Sequence, residues 1–160
     1  MDLVKLSFTF GSALIRLSFR AKPIKTAARI PVHPQGRPMS TASTQPEFIY
    51  KIATASAYAP ARQSGSFSGM PIDATDGYMH FSTAAQLAET LRLHFKGQSD
   101  LVLLAVRIAD LGTGLVWEPS RGGQMFPHLY GGPLKLSSIA WERPISVSAD
   151  GDCVLPEDVK

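Results

Sequence analysis

The chain has 160 residues, enough for one domain with a sizeable core and not comfortably for two. Its 44% apolar and 18% charged residues suit a globular protein, and no apolar run has the length that crosses a bilayer, which sets a membrane partner aside. The net charge of +3 does not mark a nucleic-acid binder: residues 1–46 hold seven Lys/Arg against one acid, whereas residues 47–160 hold nine against twelve and carry no basic stripe for a phosphate backbone.

Residues 1–46 read as a leader outside the fold. Between residues 3 and 46 there is no acid, while Lys5, Arg16, Arg20, Lys22, Lys25, Arg29 and Arg37 recur among Ser, Ala and Pro. Two readings stay open. One is a mitochondrial-type targeting peptide, since residues 3–15 are weakly amphipathic and Lys5, Ser7 and Ser12 interrupt the apolar run that a secretory signal needs. The other is a disordered tail or a translation start at Met39, with a cytoplasmic domain following. Cys153 is the sole cysteine, so no intrachain disulfide forms and nothing points to an oxidising compartment.

The folded domain is expected over residues 47–160. Phe48-Ile-Tyr-Lys-Ile-Ala53 alternates as a half-buried strand and should open the sheet. Thr54 or Ser56 can cap a short helix towards Gln63, with Pro60 tolerated only in its first turn and Gly65 as its stop. Residues 65–77 read as a loop containing Gly69, Pro71 and an Asp76-Gly77 turn. Tyr78-Met-His-Phe81 reads as a second strand, and Thr83 with Gln86 as a capping box for a helix that puts Leu87, Leu91 and Phe95 on one face. Leu101-Val-Leu-Leu-Ala-Val-Arg-Ile108 suits a central strand buried on both faces. Leu115-Val-Trp-Glu118, Ser138-Ile-Ala-Trp141 and Ile145-Ser-Val147 complete the strands, with Pro144 marking a bend or a sheet edge. Five or six short strands and two helices predict an α+β fold.

The densest chemistry lies in Trp117-Glu-Pro-Ser-Arg-Gly-Gly-Gln-Met-Phe-Pro-His-Leu-Tyr-Gly131. Pro119, Pro127 and Pro133 remove donors, and Gly122, Gly123, Gly131 and Gly132 loosen the backbone, so the segment is expected to be neither a helix nor a central strand. It should be a shaped loop presenting Glu118, Arg121, His128 and Tyr130 into a cleft. Each residue also has a purely structural reading: His80 as a buried histidine on a backbone carbonyl, Ser82 as a helix cap, Glu118 and Arg121 as an ion pair. His94 is given no role. There is no His-x-x-x-His or Cys-x-x-Cys spacing for a metal and no Gly-x-Ser-x-Gly elbow for a serine hydrolase.

Phe48-Ile-Tyr-Lys-Ile, Asp76-Gly-Tyr-Met-His-Phe-Ser-Thr83, Trp117-Glu-Pro-Ser-Arg-Gly-Gly and Phe126-Pro-His-Leu-Tyr-Gly131, in this order, resemble the bacterial DUF952 family, a domain of unknown function, over about residues 47–155. The resemblance implies an α+β domain similar to the ADP-ribosyltransferase fold: a split antiparallel or mixed sheet with two short helices around a nucleotide-sized cleft. NAD-using relatives of that fold make NAD the candidate substrate, and no metal is expected, since the ligand spacings are missing. His80 would then face the ribose or phosphates with Ser82 beside it, Glu118 would oppose the nicotinamide ribose, and Lys51 would stand where relatives carry Arg or His. Breaking an N-glycosidic bond develops positive charge that a carboxylate such as Glu118 can stabilise, and an imidazole such as His80 or His128 can move a proton. Arg121 offers a fork for phosphate, and Tyr130 or Trp117 a stacking face. The expected catalytic set is therefore Glu118, His80 and His128, and the substrate-binding set Lys51, Ser82, Arg121 and Tyr130. Two functions stay open: an enzyme acting on NAD or an ADP-ribosyl compound, and a non-catalytic small-molecule-binding domain of the same fold. The oligomeric state does not follow from the sequence.

Overall fold

The computed structural model describes residues 45–160. The expectations for the basic leader, its targeting and a start at Met39 lie outside the described residues. In chain order the elements are β1 (Phe48–Thr54), α1 (Ala55–Tyr58), α2 (Ala61–Ser64), β2 (Ser66–Phe67), α3 (Pro71–Asp76), β3 (Met79–His80), α4 (Ala84–His94), β4 (Leu101–Arg107), β5 (Leu115–Pro119), β6 (Met125–Leu129), β7 (Leu134–Lys135) and β8 (Ile139–Ile145). Every ladder among them is antiparallel, and the helices are few and short, so the α+β class holds.

β4 lies between β1 and β8, and its residues from Leu101 to Val106 are all buried. The alternation of a strand divides them. Leu101, Leu103 and Ala105 pack with Tyr50 and Ile52 of β1 and with Leu87 and Leu91 of α4. Val102, Leu104 and Val106 pack on the other face with Ile49, Ala53, Met79, Phe81 and Leu129. Burying one such side chain is worth roughly 1.5–3 kcal/mol. The unbroken apolar run is therefore the price of a strand with no solvent face, as its sequence predicts.

The second sheet has the order β3-β6-β5 and is tied to the first at one point. Tyr50 and Ser82 exchange both backbone hydrogen bonds, at 2.8 and 2.9 Å. Pro127 explains why the chain changes partner there. The Phe81 N–H donates to the Pro127 carbonyl at 3.0 Å, but Pro127 has no N–H to return, so the β3–β6 ladder ends and the next residue pairs with β1.

Several expectations need correction. Residues 125–129, read as part of a loop that could not be a central strand, form β6, the middle strand of its sheet. Pro127 is accommodated because it sits where one ladder terminates. The stretch 65–77, read as loop, contains β2 and helix α3, whose signature is Pro71 at the first helical position and Asp73 at the third; six residues are too few for an apolar period to show. The single helix expected after Thr54 is two, α1 capped by the Thr54 hydroxyl and α2 starting after Pro60, which cannot continue the hydrogen-bond ladder of α1. Residues 139–145 form one strand rather than two: β8 is a sheet edge, where Pro144 is tolerated without a break.

Candidate functional site

Strand alternation assembles the site. His80 on β3 lies directly opposite His128 on β6, and His128 lies opposite Val116 on β5. Positions two apart share a face, so Tyr78, His80, His128, Tyr130 and Glu118 all project from the same side of this sheet. The neighbouring bond from Phe81 to Pro127 makes His80 and His128 a non-hydrogen-bonded pair, the closer kind, and their ring centroids are 5.4 Å apart. Tyr78 packs on both rings and on Tyr130, at 4.8 Å from His80, 4.4 Å from His128 and 5.1 Å from Tyr130.

The two imidazoles are held differently. His128 is buried, and its Nδ1 lies 2.8 Å from Glu118 Oε2, which also accepts the Tyr130 hydroxyl at 2.8 Å. These bonds, from His128 first and Tyr130 second, hold the Glu118 carboxyl below its usual range, and the bond to Glu118 pushes the Tyr130 phenol up. In the neutral ring the Nδ1 hydrogen faces Glu118 and the lone pair is on Nε2, which makes no hydrogen bond to a described residue. His80 has no such free nitrogen: Nδ1 is 2.8 Å from Asp73 Oδ1 and Nε2 is 3.1 Å from Asp76 Oδ2.

Asp73 occupies the fork where β1 and β3 diverge. Its carboxylate accepts from the backbone N–H groups of Met70 at 2.6 Å and His80 at 3.0 Å, and pairs with Lys51 Nζ on β1 at 2.6 Å. Burial pushes this carboxyl up, but the bonds from His80 and the Lys51 ammonium outweigh it and bring the pKa down to about 2. Burial lowers that of Lys51, against the pull of Asp73. Gly69 makes the arrangement sterically feasible, since a Cβ there would meet Asp73 Oδ2 at 2.8 Å. Lys51 is thus a buried cation with a dedicated partner.

A cleft of about 500 Å³ opens between the second sheet, β1 and α4. His80, His128, Ser82, Lys51 and Arg121 line it, so five of the seven expected site residues share one cavity. Glu118 and Tyr130 do not lie on its wall; they connect to it through His128. Ser82 is buried, with its hydroxyl 3.3 Å from that of Thr90 on α4. Arg121 lies over the Phe126 ring at 5.1 Å and pairs with Glu89 of α4 at 3.1 Å, so the expected Glu118–Arg121 ion pair is not formed. Tyr50, Ile52 and Phe95 are among the apolar residues that line the cleft, and His94, given no role from the sequence, borders it. Among the described residues no three His, Cys, Asp or Glu side chains are grouped to hold a metal ion, and no helix is long and apolar enough to cross a membrane.

The family model described as "Protein of unknown function (DUF952)" matches residues 52–142, which is more than half of the chain. The chain belongs to the DUF952 family. A crystal structure of protein CC0527 from Caulobacter crescentus is similar at 43% identity and a TM-score of 0.63, with 67% of this chain and 93% of that one covered. The solution NMR structure of CC0527 is similar at 44% identity and a TM-score of 0.58, over 66% and 90% of the two chains. No curated protein matches. The four family-like segments fall on β1, on β3 with its flanks, on β5 and on β6, the strands that surround the fork and the cleft.

The sequence reading missed Asp73, Asp76, Tyr78 and Glu89. Two of these carried a signal: Pro71 with Asp73 is a helix-start pattern that orients the acid inward, and Tyr78 stands two residues before His80 on the same face. Glu89 carried none beyond its position on an exposed helical face.

Proposed function

We propose that the cleft binds a nucleotide-sized ribosyl ligand of the NAD or ADP-ribose class, and that His128 is the group that moves a proton there. The observation that carries this reading is the pair of cross-strand histidines on the cleft, one with both nitrogens held by carboxylates and the other oriented by Glu118 with Nε2 free. A volume of about 500 Å³ lined by apolar surface together with polar side chains such as Ser82, Thr90, Arg121 and His128 suits a ligand of that size. Arg121 favours phosphate oxygens, and Tyr50, Ile52 and Phe95 offer a surface for a planar base. The joining of two antiparallel sheets at one bridge supports the likeness to the ADP-ribosyltransferase fold as part of the same proposal.

In the hydrolytic version of the reaction, water bonds to the anomeric carbon of the ribose, and the N-glycosidic bond breaks with its electron pair going to the departing nicotinamide. The water proton passes to His128 Nε2 and then to solvent. Glu118 contributes by fixing the ring orientation and tautomer and by stabilising the imidazolium that forms, as a carboxylate behind a catalytic histidine does elsewhere. This differs from a carboxylate placed directly on the ribose.

The second reading, binding without chemistry, is favoured by one observation: Glu118 Oε2 is committed to His128 and Tyr130. Nicotinamide release from NAD separates the two. Release by the wild-type protein and a loss of about 10²–10⁴-fold in His128→Asn supports catalysis. Binding without release supports the second reading, and no binding of NAD or ADP-ribose overturns both.

A further inference from the structure

Arg121 is the cation of the cleft whose hydrogen-bonding capacity is largely unspent. Both of its hydrogen bonds use Nη2, to Glu89 Oε2 at 3.1 Å and to Thr90 Oγ1 at 3.4 Å. Nε and Nη1 make none among the described residues. The guanidinium lies over the Phe126 ring at 5.1 Å, which keeps the group against the cleft wall. Its side chain is 27% exposed and that of Glu89 48% exposed, so the ion pair lies at the mouth of the cleft rather than inside it. α4 is itself tied to β6, because the Gln86 side chain donates to the Met125 carbonyl at 2.9 Å.

We propose that Glu89 is an electrostatic gate: it occupies Arg121 in the empty cleft and is displaced by the phosphate or comparable anion of a ligand, so that it tempers the binding of anionic ligands and leaves neutral ones unaffected. This rests on the reading of the cleft as a ribosyl-ligand site and names the part of the ligand that meets Arg121 at the mouth. The physical basis is a competition. An exposed carboxylate pairs weakly with a guanidinium and returns to water at little cost, whereas a phosphate can take two parallel bonds from the same fork. A neutral nucleoside brings nothing that displaces Glu89. The Glu89 charge also repels any anion that approaches the mouth without displacing it.

The test compares the wild-type protein with Glu89→Gln by calorimetric titration of three probes, ADP-ribose, pyrophosphate and adenosine, at low and high salt. Gln keeps the helical surface and removes the charge. The dissociation constants of ADP-ribose and pyrophosphate are expected to fall roughly three- to tenfold in Glu89→Gln at low salt, with a smaller gain at high salt and no change for adenosine. In an Arg121→Gln background the same substitution should have no such effect. Anion binding that does not depend on residue 89, or equal tightening of adenosine, overturns the gate. The two readings fail separately. Pyrophosphate responding to Glu89→Gln while ADP-ribose does not bind upholds the gate and removes the ribosyl reading; ADP-ribose binding equally to both forms does the reverse.

Discussion

His80 and His128 stand opposite each other across the β3–β6 ladder with ring centroids 5.4 Å apart, yet each is oriented by a carboxylate from a different element, Asp73 of α3 and Glu118 of β5. The two rings are therefore placed by the sheet and differentiated by what lies behind them. Removing one of these carboxylates should affect the protein differently from removing the other.

Asp73→Asn is expected to destabilise the fold by about 3–5 kcal/mol, because it leaves the buried Lys51 ammonium without its charge partner. Lys51→Met in the same background should recover much of the loss, since a similar apolar volume replaces the stranded cation. Urea denaturation of the two single variants and the double variant measures this. Additive losses would show that Lys51 and Asp73 do not act as a pair.

The same carboxylate sets an acid limit. Its pKa is depressed from 3.8 to about 2 on folding, so its contribution is present above pH 3.8 and is lost as pH falls through about 2. The size is about 2 kcal/mol at one pKa unit per 1.36 kcal/mol. Denaturation midpoints followed from neutral pH into this window should drop for the wild type and drop less for Asp73→Asn. An equal acid sensitivity in both would place the limit elsewhere.

Glu118→Gln is expected to leave ligand affinity within about threefold while lowering any cleavage by roughly 10²–10⁴-fold, since it keeps the shape behind His128 and removes the charge that stabilises the imidazolium. An independent check is the tautomer of His128 by nitrogen-15 NMR. The Nδ1–H form should dominate in the wild type and lose its dominance in Glu118→Ala. An unchanged tautomer would mean that Glu118 does not orient the ring.

Gly114→Ala should cost about 1–3 kcal/mol, although its backbone angles are ordinary, because the added Cβ would lie 2.9 Å from the Tyr130 carbonyl oxygen. Gly114 also accepts the Tyr130 N–H at 2.9 Å, so the substitution should loosen the Tyr130–Glu118 contact. Thermal melting and the tyrosine hydroxyl exchange rate report the two effects.

Much of the fold was legible because single strands declare themselves. The apolar run of β4, the alternation in β1, and the Thr83-Gln86 start of α4, where the Gln86 side chain accepts the Thr83 N–H at 3.0 Å, are local signals. Pairing is not local. Pro127 argued against a central strand on its own terms, and only the ending of the β3–β6 ladder at Phe81 shows why a proline fits there. The site divides along the same line. Period-two spacing suffices to group Tyr78 with His80 and His128 with Tyr130, whereas the partners of Arg121 and Lys51 come from α4 and α3 and depend on how those helices dock.

The occupancy of the cleft is the central matter, and a calorimetric titration of ADP-ribose into the wild-type protein and Arg121→Gln, with melting temperatures recorded alongside, addresses it most directly. Saturable binding that raises the melting temperature of the wild type, by mass action on the folded state, and that weakens at least about tenfold in Arg121→Gln, is the expected result. No heat and no thermal shift with ADP-ribose or NAD, or binding indifferent to Arg121, would contradict it.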